Sequence, residues 1–366
     1  MPTIAERLAG VRVLLVAPSL AIMGGQAVQA DLLLKNWRAE NVQVGFQPHN
    51  PAPWWPLSYL TRIKYVRTAI VSVFYIAGLF LRAPRYDVIH IFSASYRSFI
   101  LAPTPAILAA KLFGKKCILN YRSGEADDHL TRSGKRIFWI IRKADRIIVP
   151  SGYLVDVFGK HGFKAESISN IADLTMFRFR ERKANGCKII VARNLEPLYD
   201  IETAIRAFAI FKASHPEATL KIIGKGSDER RLKKLVNDEN ITGITFTGRV
   251  ERAEIAKLYD EADIFLNTSI IDNMPVAIVE AFHAGLPIVT TNAGGIPYIV
   301  RDRENGLLVD MKNIEAVAQA LNEVCEDVPL RAKLICGGRA DAQNYCWEQV
   351  KDRWADVYCT LAGKGD

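Results

Sequence analysis

Two carboxylates eight positions apart, Asp272 and Glu280, flank a segment suited to binding an anion. Pro275 stands where a helix is predicted to begin, and proline is tolerated there because the first turn has no partner for its missing N–H. The free amides of that turn and the helix dipole form an anion site. We therefore expect an acidic crevice with a phosphate-like group held by the backbone of Asn273, Met274, Pro275 and Val276.

Basic side chains follow other predicted strands in the same half of the chain. Arg193 ends the predicted strand 188–193, and its guanidinium fork suits phosphate geometry. Lys225 lies between two glycines after the next strand, and Arg249 with Val250 follows the strand after that. Because the carboxyl ends of parallel strands meet at one edge of a sheet, we expect these residues near the crevice.

A glycine pair marks the first half of the chain. Gly24 and Gly25, followed by Gln26, come after the first predicted strand and open a predicted helix at 28–37. Paired glycines can adopt positive φ and let a ligand approach the backbone closely, and amides at a helix start face an anion. A plain turn is the alternative. Neither GxGxxG nor GxxxxGK[ST] occurs in this loop, which disfavours nicotinamide and P-loop sites.

A second polar segment follows the predicted strand 117–121. Arg122 cannot act as a general base because it stays protonated, but it could bind a phosphate. Glu125 or Asp127 could accept a proton or serve as a capping residue, and His129 is expected on a helix surface. No DxD, HExxH or paired CxxC motif occurs, so no metal site is predicted.

The segment 272–287 has an acid, seven residues, then Glu-Ala-Phe-His-Ala-Gly-Leu-Pro. It resembles the donor-sugar signature of family-4 glycosyltransferases. The resemblance implies an α/β fold of the GT-B type, with two Rossmann-like domains whose parallel sheets face a central cleft. It also implies that Asp272 holds the donor sugar, Glu280 the ribose and Arg193 the diphosphate, with the loop at Gly25 over the phosphates.

The resemblance thus implies three sets of site residues. The catalytic residues are Asp272, Glu280 and Arg193; the donor-binding set is Gly25, Arg193, Lys225, Arg249, Val250, Asp272, Asn273, Met274, Pro275, Val276 and Glu280; the acceptor set is Gly24, Gly25, Gln26, Arg122, Glu125 and Asp127. Three positions depart from the family pattern. Asp272 replaces a glutamate, Leu198 and Tyr199 occupy positions where a lysine is usual, and Arg122 replaces a histidine.

Short β-branched runs alternate with helical segments, which predicts parallel sheets with covered faces. Strands are predicted at 11–18, 42–47, 88–92, 117–121, 146–150, 188–193, 220–224, 244–248, 263–267, 287–291 and 307–310. The polar stretch 177–186 interrupts the pattern. We predict an acceptor domain at 1–168, a donor domain at 169–344 and a C-terminal segment at 345–366. The resemblance implies that the helix of this segment crosses back to the first domain.

The net charge of +9 is unevenly distributed. Residues 1–170 contain 22 Lys/Arg and 10 Asp/Glu, whereas residues 171–366 contain 26 and 29. A basic half indicates an anionic partner for one domain. Nucleic acid is disfavoured because no helix-turn-helix, RNP or zinc-finger pattern occurs. An anionic membrane surface or a lipid-phosphate acceptor fits better.

The segment 132–143 indicates how such a membrane would be met. As one continuous helix it would place five Lys/Arg and Trp139 within an arc of about 120°, opposite its isoleucines. A solvated basic helix is the alternative. Trp54, Trp55 and the basic residues Arg62, Lys64 and Arg67 lie nearby in sequence. The longest charge-free apolar run, 68–81, is shorter than the ~20 residues of a membrane span, so a buried helix is predicted.

These features predict an enzyme that uses a UDP- or GDP-linked sugar as co-substrate and requires no cofactor. The acceptor would be a glycan or a lipid-linked precursor, and the resemblance implies retention at the anomeric carbon. Six cysteines without a CxxC pair and an N-terminus without a secretory pattern favour the cytoplasm, with peripheral contact at the inner face of the plasma membrane. A degenerate scaffold without catalysis is the alternative. A sugar-nucleotide epimerase lacks placeable acid/base residues.

Overall fold

The computed structural model describes residues 2–21, 24–52, 63–182 and 187–364. The chain divides into two compact units, Met1–Ile171 with Val350–Asp366, and Ala172–Gln349. Each unit contains one six-stranded sheet. Trp54, Trp55 and Arg62, named above as possible membrane residues, lie outside the described residues.

The first unit is built on a parallel sheet with the order β2-β1-β3-β4-β5-β6. Its strands are β1 Arg12–Ala17, β2 Gln43–Pro48, β3 Val88–Ser93, β4 Lys116–Tyr121, β5 Arg146–Val149 and β6 Glu166–Ser167. Its helices are α1 Ile4–Arg7, α2 Gly25–Ala39, α3 Lys64–Arg82, α4 Tyr96–Leu101, α5 Pro103–Leu112, α6 Ala126–Ser133, α7 Lys135–Ile141 and α8 Gly152–Lys160. Strand β3 is buried along its whole length, as expected for a sheet covered on both faces.

The second unit has a parallel sheet with the order β12-β11-β10-β7-β8-β9. Its strands are β7 Lys188–Ala192, β8 Thr219–Ile223, β9 Ile244–Gly248, β10 Ile264–Asn267, β11 Ile288–Thr291 and β12 Leu307–Val309. Its helices are α9 Ile201–Ser214, α10 Glu229–Asp238, α11 Arg252–Glu261, α12 Val276–His283, α13 Ile314–Glu326 and α14 Val328–Ala342. Counted from β7, the order is 3-2-1-4-5-6, that of a doubly wound nucleotide-binding sheet.

The predicted strands are present, each end within one residue of its expected position. Such agreement follows from the apolar, β-branched runs that a doubly covered parallel sheet requires. The two-residue strand β6 was not predicted, because Glu166 and Ser167 have no apolar pattern.

The last helix, α15 Trp347–Leu361, contributes to the core of the first unit. Its Tyr358 hydroxyl lies 2.7 Å from Nδ1 of His90 on β3, and the Trp354 ring lies 4.6 Å from the same imidazole. Trp37 of α2 packs 5.6 Å from the Tyr358 ring. The C-terminal segment therefore completes a polar and aromatic cluster begun more than 250 residues earlier.

Two predictions about helices of the first unit are wrong. The expected continuous helix 132–143 is interrupted at Gly134, whose φ of +43° ends α6 and starts α7. Arg132 therefore belongs to α6, where its Nε donates to Asp128 at 2.7 Å. On α7 the isoleucines are buried and Trp139 is half exposed, so the predicted sidedness survives over the shorter helix.

The second error concerns α3, which was predicted as a buried helix. Among its side chains that the structure describes, only Tyr75 and Leu79 are buried. The segment Tyr65–Arg85 is long and apolar enough to cross a membrane by length and composition, and 17% of its most apolar window is buried. Apolar character alone cannot distinguish a helix covered by protein from one that is not.

Candidate functional site

The strand order of the second unit places a ligand crevice between β7 and β10. The two strands are neighbours in the sheet, but the connection after β7 leads to β8 on one side and the connection after β10 leads to β11 on the other. This reversal opens a gap outside the carboxyl ends of β7 and β10. Arg193 follows β7, and the loop 268–275 follows β10. The residues predicted to bind an anion thus lie where a doubly wound sheet binds its ligands.

Arg193 is held in this crevice by two side chains. Its Nε donates to Oδ1 of Asn267 at 2.9 Å, and a terminal nitrogen donates to Oδ2 of Asp272. The guanidinium carbon lies 5.0 Å from the centre of the Tyr199 ring. The side chains of Arg193 and Asp272 are 12% and 11% exposed, so the pair is fixed but reachable from one side.

Four glycines allow the loops around Arg193 to pack backbone against backbone. A methyl group on Gly224 or Gly226 would lie 2.0 Å from the carbonyl oxygen of Arg193 or Leu195, respectively. On the other side, Gly294 has φ +51°, and a methyl group there would lie 2.2 Å from the Asp272 carbonyl oxygen. The neighbouring Gly295 is packed as closely against Asn273. The Gly224-x-Gly226 pattern thus meets a steric requirement of the crevice.

Glu280 forms a second polar group on α12. Its Oε1 accepts from Arg252 at 3.3 Å, and the same Arg252 nitrogen donates to the Asp173 carbonyl oxygen at 3.3 Å. Burial raises the pKa of Glu280 to about 7. The positive charge of Arg252 lowers this pKa, whereas the negative charge of the nearby Asp173 raises it further. A carboxyl group in this state is ready to gain a polar ligand.

The remaining donor candidates surround these two groups. Pro275 is the N-cap of α12 and its carbonyl accepts from the Ile278 amide at 3.0 Å, so the helix begins at Val276. Met274 is buried, Val250 packs against the core, and Asn273 donates its amide to Asp272 Oδ1 at 2.9 Å. Lys225 and Arg249 are exposed.

Leu198, which replaces an expected lysine, lies on the 3-10 turn Pro197–Tyr199. Its carbonyl accepts the amides of Ile270 and Ile271, so the turn fixes the loop after β10. One of the basic residues predicted near the crevice is Lys225, whose Cε would lie 3.3 Å from a methyl group on Gly248. Lys225 therefore reaches from the end of β8 to the end of β9.

The first unit has its own gap between β1 and β3, which are adjacent in the order 2-1-3-4-5-6. Gly24 is the N-cap of α2, and Gln26 donates to the Ser93 carbonyl at 3.3 Å. The predicted use of positive φ is wrong: Gly24 has φ −151° and Gly25 is helical. A methyl group on either glycine would meet nothing within 4 Å, so the space above them is open.

Arg122 lies at the end of β4 in a buried polar chain. It donates to Asn120 Oδ1 at 3.3 Å and to Asn170, and its guanidinium carbon lies 4.9 Å from the Phe92 ring centre. Asn120 in turn contacts His90 Nε2 at 2.8 Å. Burial lowers the pKa of Arg122 to about 9, a cost that a bound anion would remove.

The acids after Arg122 have different surroundings. Glu125 is the N-cap of α6 without a side-chain capping bond, and Asp127 lies 3.1 Å from His161 Nε2. The expectation that His129 lies on the surface is wrong. His129 is buried, its Nδ1 is 2.8 Å from the Tyr121 hydroxyl, and burial lowers its pKa to about 4.

One group of potential metal ligands was not apparent in the sequence. Cys187, His215 and Cys325 have ligand atoms within 4.8 Å of one another. They lie near the start of β7, at the edge of the sheet opposite to Arg193. Their separation by 28 and 110 positions hid them from any search by spacing. They are not part of the crevice.

Four further residues of the site were not predicted: Arg252, Asn267, Gly294 and Gly295. The N-terminal arginine of α11 has no motif of its own, and its bond to Glu280 arises only when α11 and α12 pack together. The glycine pair after β11 offered a signal equal to that of Gly24 and Gly25.

The sequence of the second unit matches the model of a known family. Residues 175–341 match the family model described as glycosyl transferases group 1. The match therefore covers nearly the whole of the second unit. The matched segment includes Arg193, Asp272, Glu280 and Arg252, together with every other donor candidate except Gly25.

Relatives with the same domain differ in what they act on. The chain is 24% identical over 259 residues to a D-inositol 3-phosphate glycosyltransferase of Acidothermus cellulolyticus, covering 64% of this chain and 58% of that protein. It is 32% identical over 220 residues to an alpha-monoglucosyldiacylglycerol synthase of Acholeplasma laidlawii, covering 60% and 54%. The match thus spans little more than half of each relative.

Solved structures resemble the whole chain. Anabaena HepE in complex with UDP-glucose has a TM-score of 0.72 at 17% identity, covering 95% of this chain and 99% of that one. Sucrose-phosphate synthase from Thermosynechococcus elongatus has a TM-score of 0.75 at 17% identity, covering 96% and 99%. The predicted α/β GT-B fold, with two domains built on parallel sheets, is confirmed.

Proposed function

We propose that this protein transfers a glycosyl group from a nucleotide-activated sugar to an acceptor, with retention at the anomeric carbon. The observation that carries the proposal is the presence of two ion pairs at the crevice of the second unit. One is Arg193 with Asp272, and the other is Arg252 with Glu280. One suits a diphosphate and a sugar, and the other suits a ribose.

The chemistry requires a group that stabilises the leaving diphosphate. As the bond between the anomeric carbon and the phosphate oxygen breaks, negative charge develops on that oxygen. Arg193 supplies a positive charge that needs little reorganisation, because Asn267 already orients it. The free amides at the start of α12 supply partial charges of the same sign.

Asp272 has two roles in this proposal. Without a ligand it neutralises Arg193, which would otherwise be a largely buried, unpaired charge. When the diphosphate binds Arg193, Asp272 is free to accept hydrogen bonds from the sugar hydroxyl groups. The acceptor oxygen then bonds to the anomeric carbon on the face that the diphosphate leaves, and its proton passes to the departing phosphate.

We place the acceptor on the first unit, near Gly24, Gln26 and Arg122. The open space over the glycines leaves room for it, and the lowered pKa of Arg122 favours an anionic group there. The acceptor would be a glycan or a lipid-linked precursor, as the notable identity to a glycolipid synthase supports. No metal or organic cofactor is part of the proposal, and we infer a cytoplasmic location at the membrane surface.

Nucleotide-sugar turnover tests the proposal directly. UDP-, GDP- and ADP-sugars are incubated with the protein and a membrane extract as acceptor source, and release of nucleoside diphosphate is measured together with the anomer formed. We expect one nucleotide series to react, and Glu280→Ala to lose the activity. Arg230→Ala, an exposed arginine on α10, serves as the matched control for Arg193→Ala and should remain active.

The alternative of a non-catalytic scaffold is motivated by Leu198, which leaves the diphosphate with one positive charge fewer than expected. The same experiment distinguishes the two. Nucleotide binding without release of diphosphate or sugar under any acceptor condition would favour the scaffold. An inverted product would refute retention but not transfer.

A further inference from the structure

Apolar side chains are exposed together on three neighbouring helices of the first unit. We propose that this surface docks onto an anionic lipid bilayer and presents an amphiphilic acceptor to the enzyme. The surface, called the apolar face below, consists of Val73, Ile76, Phe80 and Leu81 of α3, Ile100 and Leu101 of α4, and Leu108 and Leu112 of α5. The part that concerns the acceptor rests on the proposed function, whereas docking can be tested separately.

Helix α3 contributes the longest part of the apolar face. Val73, Ile76 and Phe80 follow one another at spacings of three and four, so they lie on one side of the helix. Val73 and Leu81 are 65% and 67% exposed. Single exposed apolar residues are common, but a contiguous patch of large ones indicates an interaction surface.

Helix α5 contacts both α3 and α4, which joins the exposed residues of the three helices into one face. The Tyr75 hydroxyl of α3 donates to the Ala102 carbonyl between α4 and α5 at 2.7 Å. Further along, the Phe80 ring packs edge to face on Phe113, with 5.5 Å between the ring centres. Leu112, beside Phe113, is 67% exposed. The exposed residues of α4 and α5 therefore extend the surface of α3.

The geometry favours a helix lying in the bilayer surface over one that crosses it. The charge-free run 68–81 has a length of about 21 Å at 1.5 Å per residue, short of the ~30 Å hydrocarbon thickness. Tyr75 and Leu79 on the other side belong to the hydrophobic core of the first unit. A helix with one side in protein and one apolar side free is suited to partial insertion.

The charges around the face select an anionic surface. Residues 63–121 contain eight Lys/Arg and a single acid, Asp87, which is paired with Arg12. Two of the eight, Lys111 and Lys116, pair with Asp145, and the other six give this region an excess of positive charge. Helix α7 contacts α5 and adds exposed basic residues beside the half-exposed Trp139. These residues are Lys135, Arg136, Arg142 and Lys143. Basic residues next to an apolar insertion surface attract the anionic headgroups.

A cavity connects this surface to the predicted acceptor region. Its volume is about 670 Å³, and its lining includes Gln26 and Asn50, which follow β1 and β2 at the ligand-binding edge of the sheet. Arg67 and Val71 of α3 and Leu101 of α4 line the other side. The polar head of an amphiphile can enter this cavity while its hydrocarbon chain stays in the bilayer.

Vesicle co-sedimentation of the full chain tests docking. The vesicles are phosphatidylcholine alone or with phosphatidylglycerol, and the test variant is Val73→Glu with Leu81→Glu. We expect binding only to the anionic vesicles, weakening with added salt, and at least tenfold weaker binding by the variant. Ile210→Glu with Val328→Glu, 47% and 51% exposed in the second unit, is the matched control and should bind like the parent.

Two outcomes would overturn docking. One is equal binding of the test variant and the parent to anionic vesicles. The other is a parent protein that ignores vesicles and self-associates through this face, with a monomeric test variant, because a second copy would then cover it. Calorimetry with UDP, GDP and ADP separates this result from the proposed function. Retained nucleotide affinity in the variant shows an intact donor site, and absence of affinity for all three nucleotides in the parent contradicts the proposed function alone.

Discussion

At the scale of single residues, Arg193 is defined by partners that lie 74 and 79 positions further along the chain. Neither partner is a neighbour of Arg193 in sequence, and both come close to it only because β7 pairs with β10. The fork of the guanidinium serves Asn267 and Asp272 with different nitrogens. A single ammonium group cannot reproduce that geometry.

Arg193→Lys should therefore weaken nucleoside-diphosphate binding while keeping the charge. Each hydrogen bond to a charged group contributes about 1.5–3 kcal/mol, so we expect roughly 10- to 100-fold lower affinity by calorimetry. Arg230→Lys on α10 is the control. Unchanged affinity of Arg193→Lys would mean that the diphosphate lies elsewhere.

Leu198→Lys should have the opposite effect. The turn Pro197–Tyr199 holds its neighbours through a backbone carbonyl, so a change of side chain leaves it intact. A lysine there restores the positive charge that the family pattern contains. We expect tighter binding of the nucleoside diphosphate and no gain for the nucleoside, measured by calorimetry. Equal gains for both ligands would exclude a phosphate contact.

Glu280 should make nucleotide binding depend on pH. Its pKa of about 7 in the free site means that the carboxyl group is largely protonated below neutrality. The ionised carboxylate is the better acceptor of a hydrogen bond from a ribose hydroxyl. Binding then releases a proton, and affinity falls by up to about tenfold per pH unit below 7. Comparison of the parent with Glu280→Gln, using a nucleoside to avoid phosphate titration, checks this. Parallel pH profiles would contradict it.

At the scale of elements, the crevice depends on loops that touch through their backbones. Gly294 is the clearest case, because a positive φ and the Asp272 carbonyl both exclude a side chain. The position of Asp272 is therefore set by a residue 22 positions away that has no functional group. The strand–loop–helix unit after β10 is held in place by the loop after β11.

Gly294→Ala should displace Asp272 and weaken nucleotide binding by more than tenfold. Positive φ and the steric overlap also destabilise the second unit by roughly 1–3 kcal/mol. Gly159→Ala in α8 of the first unit is the matched control, because its methyl group meets nothing within 4 Å. Calorimetric titration and chemical denaturation measure both effects. Wild-type binding by Gly294→Ala would show that the loop can relax.

Local sequence patterns predicted the strands but not every helix boundary or every buried contact. Apolar β-branched runs predicted the strands, because doubly covered parallel sheets require them. The break at Gly134 was missed because the helical period continues across it, and only the φ of +43° ends the helix. The exposure of α3 was missed because burial depends on what packs against a helix. His129 and Arg252 became site neighbours through tertiary packing that no local pattern encodes.

At the scale of the molecule, each unit has a separate core. The cluster around β3 and β4 stabilises the first unit, and the two clusters around β7, β10 and β11 stabilise the second. The donor candidates other than Gly25 all belong to the second unit. A ligand of that crevice should stabilise one core directly.

Differential scanning calorimetry should therefore show two transitions, one of which responds to nucleotide. A nucleoside diphosphate at 100 times its Kd adds about 2.7 kcal/mol to the unit that binds it. We expect the shifted transition to belong to the second unit, and the added stability to fall to about 0.4–1.4 kcal/mol in Arg193→Lys at the same concentration. A single transition, or an equal shift of both, would show that the units unfold together.

The bond between Tyr358 and His90 has a consequence for the order in which the protein is made. Residues 1–171 leave the ribosome before the second unit, but the helix that covers His90 and Trp37 is translated after that unit. The second unit, which is continuous in sequence, can complete its core while the first still lacks a helix. A chain interrupted before residue 350 would thus display an uncovered aromatic cluster, a feature by which chaperones and proteases can recognise unfinished products.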